Sequence, residues 1–162
     1  MQEPEILMCG EKKLVGMQIY TSLAEDDTVA MWQRFMPRRK EIRNSIGQLF
    51  YSVQVFDGGL DVEEFTPKTE FEKWAAVEVS DFNAIPDGMA TFILPAGLYA
   101  VFIYKGASSA FYEAAQYIYG FWLPESVYEL DARPHFDVMG EKYLGPNNPD
   151  SEEEIWIPVK LR

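Results

Sequence analysis

The feature that most constrains this chain is a pattern of alternating and helical hydrophobic periods that runs once through the first half and again through the second. Leu14 to Tyr20 alternates with the two-residue period of a strand. Asp26, Asp27 and Thr28 then offer N-caps to a helix that puts Val29, Trp32, Phe35 and Met36 on one side, and Pro37 is expected to end or kink it. Strands follow at Phe50 to Phe56, closed by the turn residues Asp57-Gly58-Gly59, and at Phe71 to Val79. The second half starts from a hairpin around Pro95-Ala96-Gly97 and the strand Leu98 to Tyr104. Ser108 or Ser109 would cap a helix ending near Gly120, and strands at Arg133 to Met139 and Glu154 to Val159 complete the unit. A strand-helix-strand-strand order used twice predicts an α+β fold of duplicated β-α-β-β units with pseudo-twofold symmetry. Two helices would lie on an antiparallel sheet, with a central groove where the halves meet.

Length and charge narrow the function. A chain of 162 residues is expected to form one domain spanning 1–162. An aromatic share of 15% leaves rings to line a pocket once a core is filled. The formal charge of −12 repels phosphate backbones, so direct nucleic-acid binding is not expected. The basic run Arg38, Arg39, Lys40 and Arg43 reads as cations at the negative end of a helix dipole. Cys9 is the sole cysteine, so neither an intrachain disulfide nor a Cys-rich metal site is expected. The start Met1-Gln2-Glu3-Pro4-Glu5 carries no leader signature, and no apolar run reaches membrane-spanning length, so the expected location is cytoplasmic, away from any membrane.

The second half also carries a series of short motifs. Leu94-Pro95-Ala96-Gly97-Leu98-Tyr99-Ala100-Val101-Phe102, Tyr104-Lys105-Gly106 and Trp122-Leu123-Pro124-Glu125-Ser126 come first. Arg133-Pro134-His135-Phe136-Asp137 and Ile155-Trp156-Ile157-Pro158-Val159 follow in register. In order and spacing this series resembles the GyrI-like family of small-molecule-binding, effector-binding domains, and Trp74 to Val79 resembles the family's mid-domain strand. The resemblance implies an aromatic groove for amphipathic, often cationic compounds, of the kind multidrug-responsive bacterial transcription regulators use. These residues contain no helix-turn-helix, which implies a stand-alone member whose regulatory role would need a separate DNA-binding partner. Gyrase modulation, or hydrolysis of electrophilic cyclopropane-type xenobiotics by a Glu or Asp general base, are the alternatives that the family implies.

The resemblance places Asp137 where relatives carry a glutamate that answers the ligand's positive charge; aspartate is one methylene shorter, and its other reading is an exposed strand-end acid. Glu78 is a candidate from alternation, sharing a strand face with Trp74 and Ala76. If that face lines the groove its carboxylate is partly desolvated, and otherwise it is a sheet-surface acid. Tyr51, Phe102, Tyr104, Tyr112, Tyr119 and Trp122 are the aromatic candidates for ring faces that attract a cation, with Trp122 expected just past the second helix as a groove wall. The sole histidine, His135, is expected to be structural, since no serine stands in a nucleophile-elbow setting. Glu152-Glu153-Glu154 reads as a solvated strand entry, with calcium a lesser reading. No metal, cofactor or nucleotide is expected.

Overall fold

A computed structural model describes residues 3–162. The first unit is β2 (Lys12–Thr21), α1 (Thr28–Phe35), β3 (Phe50–Val55) and β4 (Phe71–Glu78). The second is β6 (Gly97–Lys105), the helical segment that opens with α2 (Phe111–Tyr117), β8 (His135–Met139) and β9 (Glu152–Leu161). Three strands lie outside the duplicated plan: β1 (Glu5–Cys9), β5 (Ala90–Leu94) and β7 (Tyr128–Leu130). All nine form one antiparallel sheet in the order β1-β6-β9-β8-β3-β4-β2-β5, with β7 on the end of β9. The fold is α+β, and the two units meet as mirror images in this order, β6-β9-β8 against β3-β4-β2.

The extra edge strands tie the units together. Each unit's leading strand pairs with the other unit: β1 runs along β6, and β5 runs along β2. Only Gly10 and Glu11 separate β1 from β2, and only Pro95 and Ala96 separate β5 from β6. Two-residue links between strands at opposite ends of the order force the sheet to curl until its ends approach. The inner face of the curl is packed by Cys9 and Tyr99 from one end, Leu14 and Leu94 from the other, and Tyr51, Val53, Trp74 and Phe136 from the middle. At Gly16, which pairs with both Ala76 and Ala90, a Cβ would run into the Ala75 carbonyl, so glycine is required for this close approach.

The helices cover the outer face. α1 buries Met31 and Phe35 against Val15, Ala75 and Val77, while Val29, placed on the apolar side by period, is exposed. Thr28 N–H donates to Asp26 Oδ1 at 2.9 Å, so Asp26 rather than Asp27 satisfies the first turn. Pro37 sits where the α-helix passes into the 3-10 turn Met36–Glu41, and Arg39 donates to the Met36 carbonyl, as cations at a helix C-terminus should. The second helical segment runs on past Gly120: α2 leads into a π turn, Ile118–Trp122, and a closing α turn, Leu123–Glu125. Ser108 does not cap it; its hydroxyl donates to the Pro146 carbonyl. Ala114, Ile118, Trp122 and Leu123 pack this segment onto Ala100, Phe102, Ile155 and Ile157.

Candidate functional site

Strand alternation and the ladder register sort every candidate onto one face or the other. On the inner face, Tyr51 lies opposite Ala76 and Val138, Val53 opposite Trp74 and Phe136, and Phe136 opposite Trp156. Leu14, on this same face, lies opposite Glu78. On the outer face, Ser52 lies opposite Ala75 and Asp137, Gln54 opposite Lys73 and His135, and Tyr104 opposite Glu153. Glu78 and Asp137 therefore stand on opposite faces of the sheet, and one bound molecule does not reach both.

The inner face already holds a cation of its own. Arg133 lies with its guanidinium carbon 4.6 Å from the Tyr99 ring centroid, pairs with Asp131 Oδ2 at 3.2 Å, and donates to the Leu98 and Val159 carbonyls at 2.6 and 3.1 Å. It crosses Gly97, where any side chain would collide with it. The Tyr99 hydroxyl returns a bond to the Pro134 carbonyl at 3.0 Å. The Pro-Ala-Gly and Arg-Pro motifs are thus two halves of one structural clamp. Around it Phe136 stacks on Trp156 at 5.1 Å, and Trp156 Nε1 donates to Glu154 Oε1 at 3.1 Å. Glu78 ends β4 on this side, 3.6 Å from Lys12 Nζ, and its charge adds to burial in raising the Tyr51 phenol.

On the outer face the two helix-packed cores are separate clusters, and Ser52, Gln54, Lys73, Asp137, His135 and Glu153 project from the strands of that face. Lys73, Asp137 and Glu153 are half-buried, yet burial dominates their chemistry. Desolvation raises the Asp137 carboxyl to about 6, against the opposing pull of Lys73. It raises Glu153 to about 8, with the Asp137 charge adding to the effect. Desolvation lowers the Lys73 ammonium, although Asp137, Asp26 and Glu153 all favour its charged form. The two carboxyls thus titrate as an interacting pair, with the Lys73 ammonium beside them disfavoured by the same burial.

Tyr119 hangs from the π turn with its hydroxyl 3.4 Å from His135 Nδ1, and burial and the Asp137 charge raise the phenol. His135 is 4% exposed, held well below its ordinary range at about 3 by burial, and its Nε2 has no hydrogen-bond partner. It is therefore a neutral, buried imidazole, as a structural role requires. Tyr143 lies in the loop before β9, its phenol raised by burial and by Glu153 and Asp137.

This part of the outer face gathers Asp137 and Tyr119 from the sequence candidates, while Tyr104, opposite Glu153 in the ladder, is buried in the helix-side core with its hydroxyl donating to the Ala107 carbonyl. Phe102 and Trp122 belong to the helix-side core, edge to face at 5.2 Å, and Trp122 is 8% exposed inside the helical segment rather than a wall beyond it. Tyr112 is 70% exposed and bonded only to Gln116. Tyr51 lies on the inner face with Glu78. Sequence reasoning missed Lys73, Glu153 and Tyr143. Glu153 read as one acid of a solvated run, and only the alternation of β9 against Tyr104 separates it from its neighbours Glu152 and Glu154. Among the described residues no three His, Cys, Asp or Glu side chains are grouped to hold a metal ion, and no helix is long and apolar enough to cross a membrane. Surface depressions of about 590 and 570 Å³ lie beside Gly58–Gly59 and in the Leu144–Asp150 loop, away from every candidate.

A duplicated β-α-β-β sheet with helices on one face is the architecture of a class of small-molecule-binding modules. The chain belongs to the GyrI-like small molecule binding domain family, whose model matches residues 2–160. It is 32% identical over 146 residues to the transcriptional regulator BrlR of Pseudomonas aeruginosa, covering 90% of this chain and 51% of the relative, so it spans about half that protein's length. Its fold superposes on SAV2435, solved bound to tetraphenylphosphonium, with a TM-score of 0.73 at 16% identity over 98% of this chain and 94% of the other. It superposes on EcmrR, solved in a complex with DNA, with a TM-score of 0.71 at 16% identity over 99% and 58% of the two chains. These two structural likenesses show the fold.

Proposed function

We propose that the protein binds amphipathic organic cations in a crevice on the outer face between the helices, with Asp137 and Glu153 as counter-charges and Tyr119 and Tyr143 as aromatic walls. The observation that carries this reading is the convergence of two half-buried carboxyls, both with raised proton affinity, on a floor between the helices. A carboxylate lacking solvent gains most from a cation that brings no strong hydration shell of its own, and a delocalised aromatic cation is such a species. The neighbouring rings add apolar area and faces of negative potential. The ligand of SAV2435, a tetra-aryl cation, has the matching chemistry. In this reading Glu78 pairs with Lys12 on the other face, residues 1–162 act as one ligand-binding module in the cytoplasm, and a DNA-binding partner reports its occupancy.

Calorimetric titration with tetraphenylphosphonium, and with triphenylphosphine oxide as a neutral aromatic of similar shape, tests the reading. The cation should bind more tightly than the neutral compound, and Asp137→Asn should abolish the preference. Equal affinity for both compounds, or a preference that survives in both Asp137→Asn and Glu153→Gln, would sink it.

A further inference from the structure

The crevice contains a charge that a cation-binding site would not be expected to carry. Lys73 rises from the centre of β4, the strand next to β3, and shares the outer face with the acid pair. The charges that act on it are those of Asp137 on β8, Glu153 on β9 and Asp26 ahead of α1, and His135 on β8 lies in the same row across Gln54. His135 is neutral, so the ionisable groups that favour the ammonium are these three carboxyls, two of them with raised proton affinity. Among the described residues Lys73 makes no ion pair within 4.0 Å and no side-chain hydrogen bond, in contrast to Lys12, Arg38, Arg133 and Lys160. The lysine thus sits within electrostatic reach of the acids without being bound in place by them. Its four-carbon stem is long enough to move the ammonium towards or away from the carboxyls.

We propose that Lys73 is a tethered competitor: its ammonium takes the place of the ligand's positive charge in the empty crevice, and a lipophilic cation enters by displacing it. This rests on the crevice being the binding site. The lysine then sets specificity as well as affinity. Small, strongly hydrated monocations gain too little to expel an ammonium already in place, whereas a large aromatic cation also gains contact with the tyrosine rings and the apolar floor. The arrangement keeps the acid pair compensated when no ligand is bound, which an open crevice lined by two carboxylates alone would not.

Two measurements test this. In calorimetric titrations with tetraphenylphosphonium, Lys73→Met should raise affinity by about tenfold if the ammonium occupies the site nine-tenths of the time, because removing a competing occupant restores the fraction of competent sites. Lys73→Arg, which keeps a cation on the stem, should stay near wild type, and Lys13→Met, the same loss of charge at an exposed site, should leave affinity unchanged. Affinity in Lys73→Met equal to or weaker than wild type overturns the proposal while leaving the crevice as the binding site. Affinity raised equally by Lys13→Met also overturns it, by reducing the effect to net charge. The second measurement needs no ligand: the Lys73 titration followed by carbon-13 NMR of the dimethylated amine in the intact chain. Asp137→Asn and Glu153→Gln should each move its midpoint down by about a pH unit as a favourable charge is lost. A midpoint unmoved in both variants overturns the proposal whether or not any cation binds, and a clear movement without cation binding leaves the lysine's place beside the acids standing while removing the proposed ligand class.

Discussion

The two faces of this sheet use the same chemistry to opposite ends. On the inner face the cation is Arg133, and it is held in place: an aromatic ring, a carboxylate and two backbone carbonyls engage it, and only its buried Nη1 is left without a hydrogen-bond partner. On the outer face the cation is Lys73, with three carboxyls around it and no close partner among the described residues. The comparison teaches that a cation, acids and rings do not by themselves make a binding site. A charge fixed by several close partners of the fold has little left to offer a ligand, and a charge without close partners has more.

Removing the tightly held group should have the largest consequence. Arg133→Ala strips partners from the partly exposed Asp131, from Tyr99 and from two carbonyls, and the two charge-assisted hydrogen bonds to those carbonyls, at about 1.5–3 kcal/mol each, set the loss at roughly 3–6 kcal/mol. Urea denaturation should show that loss, while the fraction still folded binds tetraphenylphosphonium as the wild type does. A stable Arg133→Ala variant that no longer binds cations would reverse the roles of the two faces.

Trp122→Ala should act on stability as well, by about 3 kcal/mol for a large aromatic taken from a core. Phe102 loses its edge contact and Tyr128 its stacking partner. Thermal unfolding measures this, and a variant that kept its stability but lost its ligand would put the indole back in the groove wall.

The outer face should respond in the other sense. Asp137→Asn is expected to cost on the order of 1–3 kcal/mol in cation affinity, the worth of a charged hydrogen bond, without loss of folding stability. Acidity sharpens the point. Asp137 and Glu153 have folded values raised above their unfolded ones, so their contribution to stability is full below the ordinary carboxyl range. It is lost as pH rises through about 6 for Asp137 and about 8 for Glu153. His135 is depressed to about 3, so its contribution is present above its unfolded value near 6.5 and is lost as pH falls towards 3. Between pH 6.5 and 8 only the Glu153 effect remains among these three, and it lowers stability as pH rises, whereas the lowered Lys73 ammonium acts in the opposite sense; the Glu153 part is the difference between the wild type and Glu153→Gln. The same dependence on pH in the wild type and in Glu153→Gln over that window would contradict this assignment.

The smallest effect belongs to Glu78→Gln. It removes a partly exposed pair with Lys12, and such pairs contribute about 0–1 kcal/mol. Cation affinity should not change, and a large loss there would move the binding site to the inner face.

The sequence by itself determined the elements and their order. Leu14 to Tyr20, Phe50 to Val55 and Phe71 to Glu78 announce themselves because hydrophobic period is a local property, read from neighbours a few residues apart. Pro37 likewise marked the end of α1. Local signal failed where the chain departs from regular pattern. Glu5–Cys9 is apolar without alternation, and the π turn that carries Tyr119 prolongs a helix which Gly120 seemed to close. The division of labour between the faces belonged to the tertiary structure. Alternation states that Glu78 shares a face with Trp74, and that Asp137 opposes Phe136, but it is silent on how β4 and β8 stand to one another. That relation is fixed by the β3 register, which puts Tyr51 opposite both Ala76 and Val138. The exchange of edge strands then decides which face curls inward and which is left to the helices. Only after that do Lys73, Asp137 and Glu153, far apart along the chain, come to share one face, because what brings them together is pairing between strands and not the spacing of residues within any one of them.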